Sequence, residues 1–166
     1  MIEGLVDKLT GTDALIRAMR GHDRQKFARV FGHFTVLFLQ VPTGCEGGLD
    51  PNVTQEEFLS HLRSQTQDIS QREQFTPFCR IRAGRRALLL FTAQSLAQQF
   101  AQAYVRTIKR IMPFGVLGVQ GKIATRLFSG VDSVVFNAST KYEYELSAVD
   151  VQLLKTLFPP TSAETR

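Results

Sequence analysis

FTVLFLQV, Phe34 to Val41, decides the architecture, because both halves of its two-residue alternation are apolar. Phe34, Val36 and Phe38 point one way and Leu37, Leu39 and Val41 the other. A strand with one wet face alternates apolar with polar residues, so this one is expected in the middle of a sheet covered on both sides. Pro42, which has no N–H to give a ladder, ends it.

Upstream, Thr12 is the expected N-cap of a helix with Leu15, Ile16 and Met19 on one face, ended by Gly21. A second helix, over about residues 23–31, puts Phe27, Val30 and Phe31 together, so a helical pair leads into the strand. Downstream, FCRIR and RRALLLF flank Ala83-Gly84, a two-residue hairpin turn in which glycine supplies the positive φ. Ala87 to Phe91 is wholly apolar and reads as another buried strand. Ser95 with Gln98 forms a capping box for a helix that aligns Leu96, Phe100, Tyr104, Ile108 and Ile111 and stops at Met112-Pro113. A strand over 115–119, a helix over 121–128, a strand from Asp132 to Phe136 and an extended piece from Tyr142 to Leu146 follow. Ser147 and Asp150 cap a last helix with Val151, Leu154, Leu157 and Phe158 inward.

The expected fold is one α+β domain over 1–158. It has an N-terminal helical pair and a mixed sheet of about 4–6 strands, one hairpin included, flanked by helices. Residues 43–77 read as an insertion of loop and peripheral helix, the helix running over about 54–67 from a capping box of Thr54 and Glu57, and residues 159–166 as a disordered tail. With 166 residues, 43% of them apolar, and a net charge of +5, the chain has the composition of a single globular domain rather than a disordered one. It holds no run of about 18 apolar residues, and its start lacks a secretory core, so a cytoplasmic protein without membrane contact is expected. Two cysteines, Cys45 and Cys79, are too few for a disulfide scaffold and suit a reducing compartment.

Four segments, in this order, resemble a known family: DALIRAM before FARVFGHFTVLFLQVP, then RIRAGRRALLLFTAQSLAQQF, then QGKIATRLFSGVDSVVFNAST, and ELSAVDVQLL at the close. Together, over roughly 12–157, the chain resembles the N-terminal domain of SseB-family proteins (enhanced serine sensitivity, type III secretion SseB-like). The resemblance implies a compact bacterial α/β module without agreed catalytic residues. It also implies that Phe91, Thr92, Gly121 and Asn137 serve structure, with Thr92 and Asn137 satisfying turn backbone at strand ends. The chain departs from the family at Ala138, where proline is usual, and in the length of 43–77.

Sites for chemistry are sparse. GVLGVQGK lacks the spacing of a phosphate loop, having Val116 and Ile123 where the leading glycine and the magnesium-binding hydroxyl belong. Cys45 sits in a glycine-rich loop, but nothing in the spacing places His22, His33 or His61 beside it as a base. Cysteines and histidines are scattered without zinc spacing, so no metal, cofactor or catalytic residue is expected.

Charge is segregated instead. From Arg80 to Val131 there are nine basic residues and no acid, while residues 36–79 carry six acids against two arginines. Arg82, Arg85 and Arg86 crowd the hairpin, and Arg106, Lys109 and Arg110 share the face of the following helix opposite its apolar stripe. These six are the expected contacts of a non-enzymatic adaptor or regulatory module with an acidic protein partner; nucleic acid or another anionic ligand on the same surface is the alternative. The cations also have structural uses: arginines guard an exposed hairpin, cations favour a helix C-terminus, and the acidic 43–77 segment packing across the basic face is the third structural reading.

Overall fold

The computed structural model describes residues 12–42, 56–57, 75–112 and 114–159. The elements are α1 (Thr12–Arg20), α2 (Arg24–His33), β1 (Thr35–Pro42), β2 (Phe75–Pro77), β3 (Cys79–Arg82), β4 (Arg85–Phe91), α3 (Gln94–Ile108), β5 (Gly115–Gln120), α4 (Gly121–Ala124), β6 (Ser133–Phe136), β7 (Tyr144–Glu145) and α5 (Ala148–Leu157). A 3-10 turn, Thr125–Phe128, extends α4, where the sequence predicts one helix over 121–128. Glu56 and Glu57 are helical and exposed; the rest of the predicted 54–67 helix, Cys45 and the 160–166 tail lie outside the described residues.

β1 is central, as its two apolar faces demand. Along one edge it pairs antiparallel with β5, from Thr35↔Gln120 to Gln40↔Gly115. Along the other it meets β4 only at Leu37↔Phe91 and Phe38↔Leu90. Beyond Phe38 the two strands part, and residues 75–82 fill the gap, β2 pairing with β1 and β3 with β4. At the switch, Phe78 donates its N–H to the Leu39 carbonyl at 2.7 Å. β4 runs parallel to β6, which is antiparallel to β7. Among the described residues the mixed sheet thus has seven strands rather than about 4–6, because one segment serves two neighbours as two short strands. Residues 75–77 accordingly belong to the sheet, not to the 43–77 insertion.

The alternation of β1, β4 and β6 sorts the core into two halves. Val36, Phe38, Leu88, Leu90, Val134 and Phe136 pack under α1, α2 and α5, against Leu15, Phe27, Phe31 and Leu154. Leu39, Val41, Leu89, Phe91 and Val135 pack under α3, against Ala97 and Phe100. Burying a large apolar side chain is worth about 1.5–3 kcal/mol, so these two layers carry most of the driving force. Arg24 ties the helical pair to α5: its guanidinium donates to the Met19 carbonyl at 3.1 Å and to the Gly21 carbonyl, and meets Asp150 Oδ2 at 2.9 Å. Ser147 caps α5 as expected, its Oγ accepting the Asp150 N–H at 3.1 Å, whereas the Asp150 carboxylate, read as the other half of the cap, turns to Arg24.

Three local readings are corrected. α3 opens after Ala93, which makes no side-chain cap bond, so Ser95 lies in the first turn instead of capping it. The helix stops at Ile108 because Lys109 turns left-handed (φ 54°), four residues before Met112-Pro113 would have ended it. Leu157, expected inward, is 44% exposed.

Candidate functional site

The hairpin forms where the sequence places it. Ala83 and Gly84 both have positive φ, 49° and 76°, the pattern of a type I′ turn whose twist matches the flanking strands. This turn fixes the register Arg82↔Arg85, Ile81↔Arg86 and Arg80↔Ala87. Arg82, Arg85 and Arg86 are all exposed, and Arg82 and Arg85 stand directly opposite one another, an arrangement that disfavours the free hairpin. Strand alternation puts Arg80, Arg82 and Arg85 on the side of Ala87 and Leu89, which α3 covers, and Arg86 with Ile81 on the other.

α3 carries the second cluster back across the sheet. It leaves the C-terminal end of β4 and runs back, Phe100 lying 5.7 Å from the Phe91 ring and Tyr104 5.0 Å from Phe78. Phe114 closes on the same rings, 5.1 Å from Phe78, and leads into β5 beside the end of β1. The last turn of α3 therefore follows Tyr104 past Phe78, at the switch between β2 and β3. Arg106 is exposed in that turn. Lys109 and Arg110 are exposed too, but the left-handed Lys109 places both on the turn beyond the helix, not on the shared helix face read from the sequence.

Among the described residues, the ion pairs lie elsewhere. Arg24 pairs with Asp150, and Arg80 approaches Glu143 at 3.8 Å. Arg82, Arg85, Arg106 and Lys109 form none with a described carboxylate. Arg80, absent from the six predicted residues, is withdrawn under the sheet with its side chain 14% exposed. Its neighbourhood is legible only once β3 is paired with β4. Asp132 is a second residue missed by sequence reasoning: its Oδ2 accepts the Arg86 backbone N–H at 2.7 Å and pins the hairpin's base. Asp132, Arg85, Tyr144, Glu145 and Ser147 also line a cleft of about 480 Å³ whose mixed charge suits no single ion.

Cys79, half-buried on β3, shares the face of Arg86. Burial pushes its thiol up from the ordinary value, and the charge and hydrogen bond of Arg86 oppose that in part. A thiol held protonated is a poor nucleophile. Thr92 and Asn137, expected at strand ends, join there: Asn137 Oδ1 accepts the Thr92 N–H at 2.9 Å, and Asn137 donates back to Thr92 Oγ1 at 3.1 Å. Among the described residues, no cluster of three His, Cys, Asp or Glu side chains is placed to hold a metal ion. No described helix is long and apolar enough to cross a membrane.

No family model, curated protein or solved structure matches the chain. The class is therefore set by architecture and surface alone: an α+β domain with exposed cations on its β3–β4 hairpin and around the end of α3.

Proposed function

We propose that the chain is a non-enzymatic, SseB-like binding module of the bacterial cytoplasm, an adaptor or regulator that docks an acidic segment of a protein partner. The contacts are Arg82, Arg85 and Arg86 on the hairpin and Arg106, Lys109 and Arg110 around the end of α3. A link to type III secretion rests on the SseB resemblance alone. The observation that carries the reading is the exposed, directly opposed pair Arg82 and Arg85, with Arg106 and Lys109 exposed at the end of α3. A bridging carboxylate relieves that opposition, and guanidinium groups bind carboxylates through paired hydrogen bonds.

The test is fluorescence anisotropy with a labelled peptide rich in Asp and Glu. Arg82→Glu with Arg106→Glu is expected to weaken binding about tenfold or more, a loss of about 1.4 kcal/mol or greater. Equal binding by the variant overturns the site. An oligonucleotide run in parallel separates the alternative ligand class: tighter binding than the peptide, falling steeply and linearly in log–log terms as salt rises, replaces the protein-partner reading with a nucleic-acid one.

A further inference from the structure

β5 is a sheet edge of an unusual kind. Its residues, GVLGVQ, carry no charge and no proline, and among the described residues it pairs with β1 alone. Natural edge strands are blunted by lysines, prolines, bulges or shortness. At the opposite side of the same sheet, β7 is two residues long and includes Glu145. β5 spans six residues, with Val116 39% and Leu117 42% exposed, and Ile123 just beyond it 43% exposed.

The hydrogen-bond phase of this edge is fixed. Gly121 donates its N–H to the Phe34 carbonyl at 2.8 Å, which continues the register Thr35↔Gln120. Antiparallel pairs alternate between bonded and non-bonded, so Val119, Leu117 and Gly115 point their backbone groups to β1. Val116, Gly118 and Gln120 point theirs outward.

We infer that this edge is a dimerisation surface, in which β5 pairs antiparallel with β5 of a second copy about a twofold axis at Gly118. That register sets Val116 against Gln120 of the second copy, Gly118 against its counterpart, and Gln120 against Val116, so every outward N–H and C=O finds a partner. On the face shared with α2, Leu117 meets Val119 of the other copy at both symmetry-related non-bonded positions, where side chains come closest. On the α3 face, Gly118 leaves the axis bare of side chains. The strand is complementary to itself in backbone phase and in apolar contact, and it carries no charge of its own. Isologous pairing of this kind closes at two copies.

The full chain is examined by sedimentation equilibrium and by hydrogen exchange at the amides of Val116, Gly118 and Gln120 over a range of concentrations. The expected results are a mass rising toward twice 18.6 kDa and protection of those three amides that grows with concentration. Val116→Pro, which removes an outward N–H and leaves the β1 ladder intact, and Leu117→Lys, which sets lysine against Val119, are expected to keep the mass at that of one chain. Ile81→Lys, at a 66% exposed position on the hairpin, is expected to dimerise as the natural chain does. A single-chain mass at every concentration overturns the inference. So does concentration-independent protection, which means that another part of the same chain covers the edge, and so does a dimer broken by Ile81→Lys but not by the β5 variants.

Discussion

Asn137 is fully buried, with a positive φ of 51°, and its Oδ1 accepts the Thr92 N–H at 2.9 Å. The Asn137 N–H in turn reaches the Leu90 carbonyl at 2.8 Å. One side chain thus latches the C-terminal ends of the parallel strands β4 and β6, where the ladder between them ends. Asparagine is among the few residues other than glycine that tolerate this backbone. Asn137→Ala loses both the conformation and a buried acceptor and is expected to cost about 2–4 kcal/mol in a urea melt. Thr92→Val keeps its backbone N–H bond and costs about 1 kcal/mol. A double-mutant cycle between them measures their coupling.

Gly121 and Gly32 separate two kinds of crowding. A Cβ on Gly121 falls 1.9 Å from the Phe31 carbonyl oxygen, a backbone atom of α2 that cannot move alone. A Cβ on Gly32 falls 2.4 Å from the far end of the Phe158 ring, which is partly exposed and able to swing away. Gly121→Ala is expected to cost about 3 kcal/mol and Gly32→Ala about 1 kcal/mol. Thermal melts that reverse this order contradict the packing of β5 and α4 against α2.

Much of the fold is legible in the sequence because periodicity reports burial. The two apolar faces of β1, the run Ala87–Phe91 and the Ala83-Gly84 turn each point to one arrangement. What periodicity does not report is where backbone geometry interrupts it. Lys109 ends α3 in a conformation usually left to glycine, so an apolar stripe read through to Ile111 overruns the helix. Phe78 lets one extended segment change partners, which no alternation reveals. The candidate site was legible as charge but not as place. The return of α3 over Phe78 is a tertiary fact, and Asp132 is visible as a hairpin anchor only after β4 and β6 are side by side.

The unsupported termini of α3 offer stabilising changes. Ala93 has the extended backbone of an N-cap and no oxygen to use, so Ala93→Ser is expected to add about 1 kcal/mol. Lys109→Gly relieves the left-handed position and adds about 0.5–1 kcal/mol. The second variant is expected to bind the acidic peptide more weakly while melting at higher temperature, which parts the charge of Lys109 from its place in the fold.

Cys79 gives a pH dependence of known sign. The folded thiol holds its proton more tightly than the unfolded chain does, so its contribution is intact below the ordinary thiol range and lost as pH rises through that range toward the raised folded value. The loss of stability between neutral and strongly alkaline pH is therefore expected to be smaller in Cys79→Ala than in the natural chain, measured by urea midpoint. In a Cys45→Ser background, iodoacetamide is expected to alkylate Cys79 more slowly than an unstructured cysteine peptide, and Arg86→Ala to slow it further.

Arg82→Glu puts the proposed function to its most direct test, because it acts oppositely on folding and on binding. It converts the like-charged pair across from Arg85 into an attractive one and is expected to stabilise the domain by about 0.2–1 kcal/mol. The same change is expected to weaken acidic-peptide binding several-fold, read by anisotropy on the same samples. A variant that is more stable and binds more weakly is the result predicted by cations held apart for a partner. A variant that binds the peptide as tightly as the natural chain contradicts it.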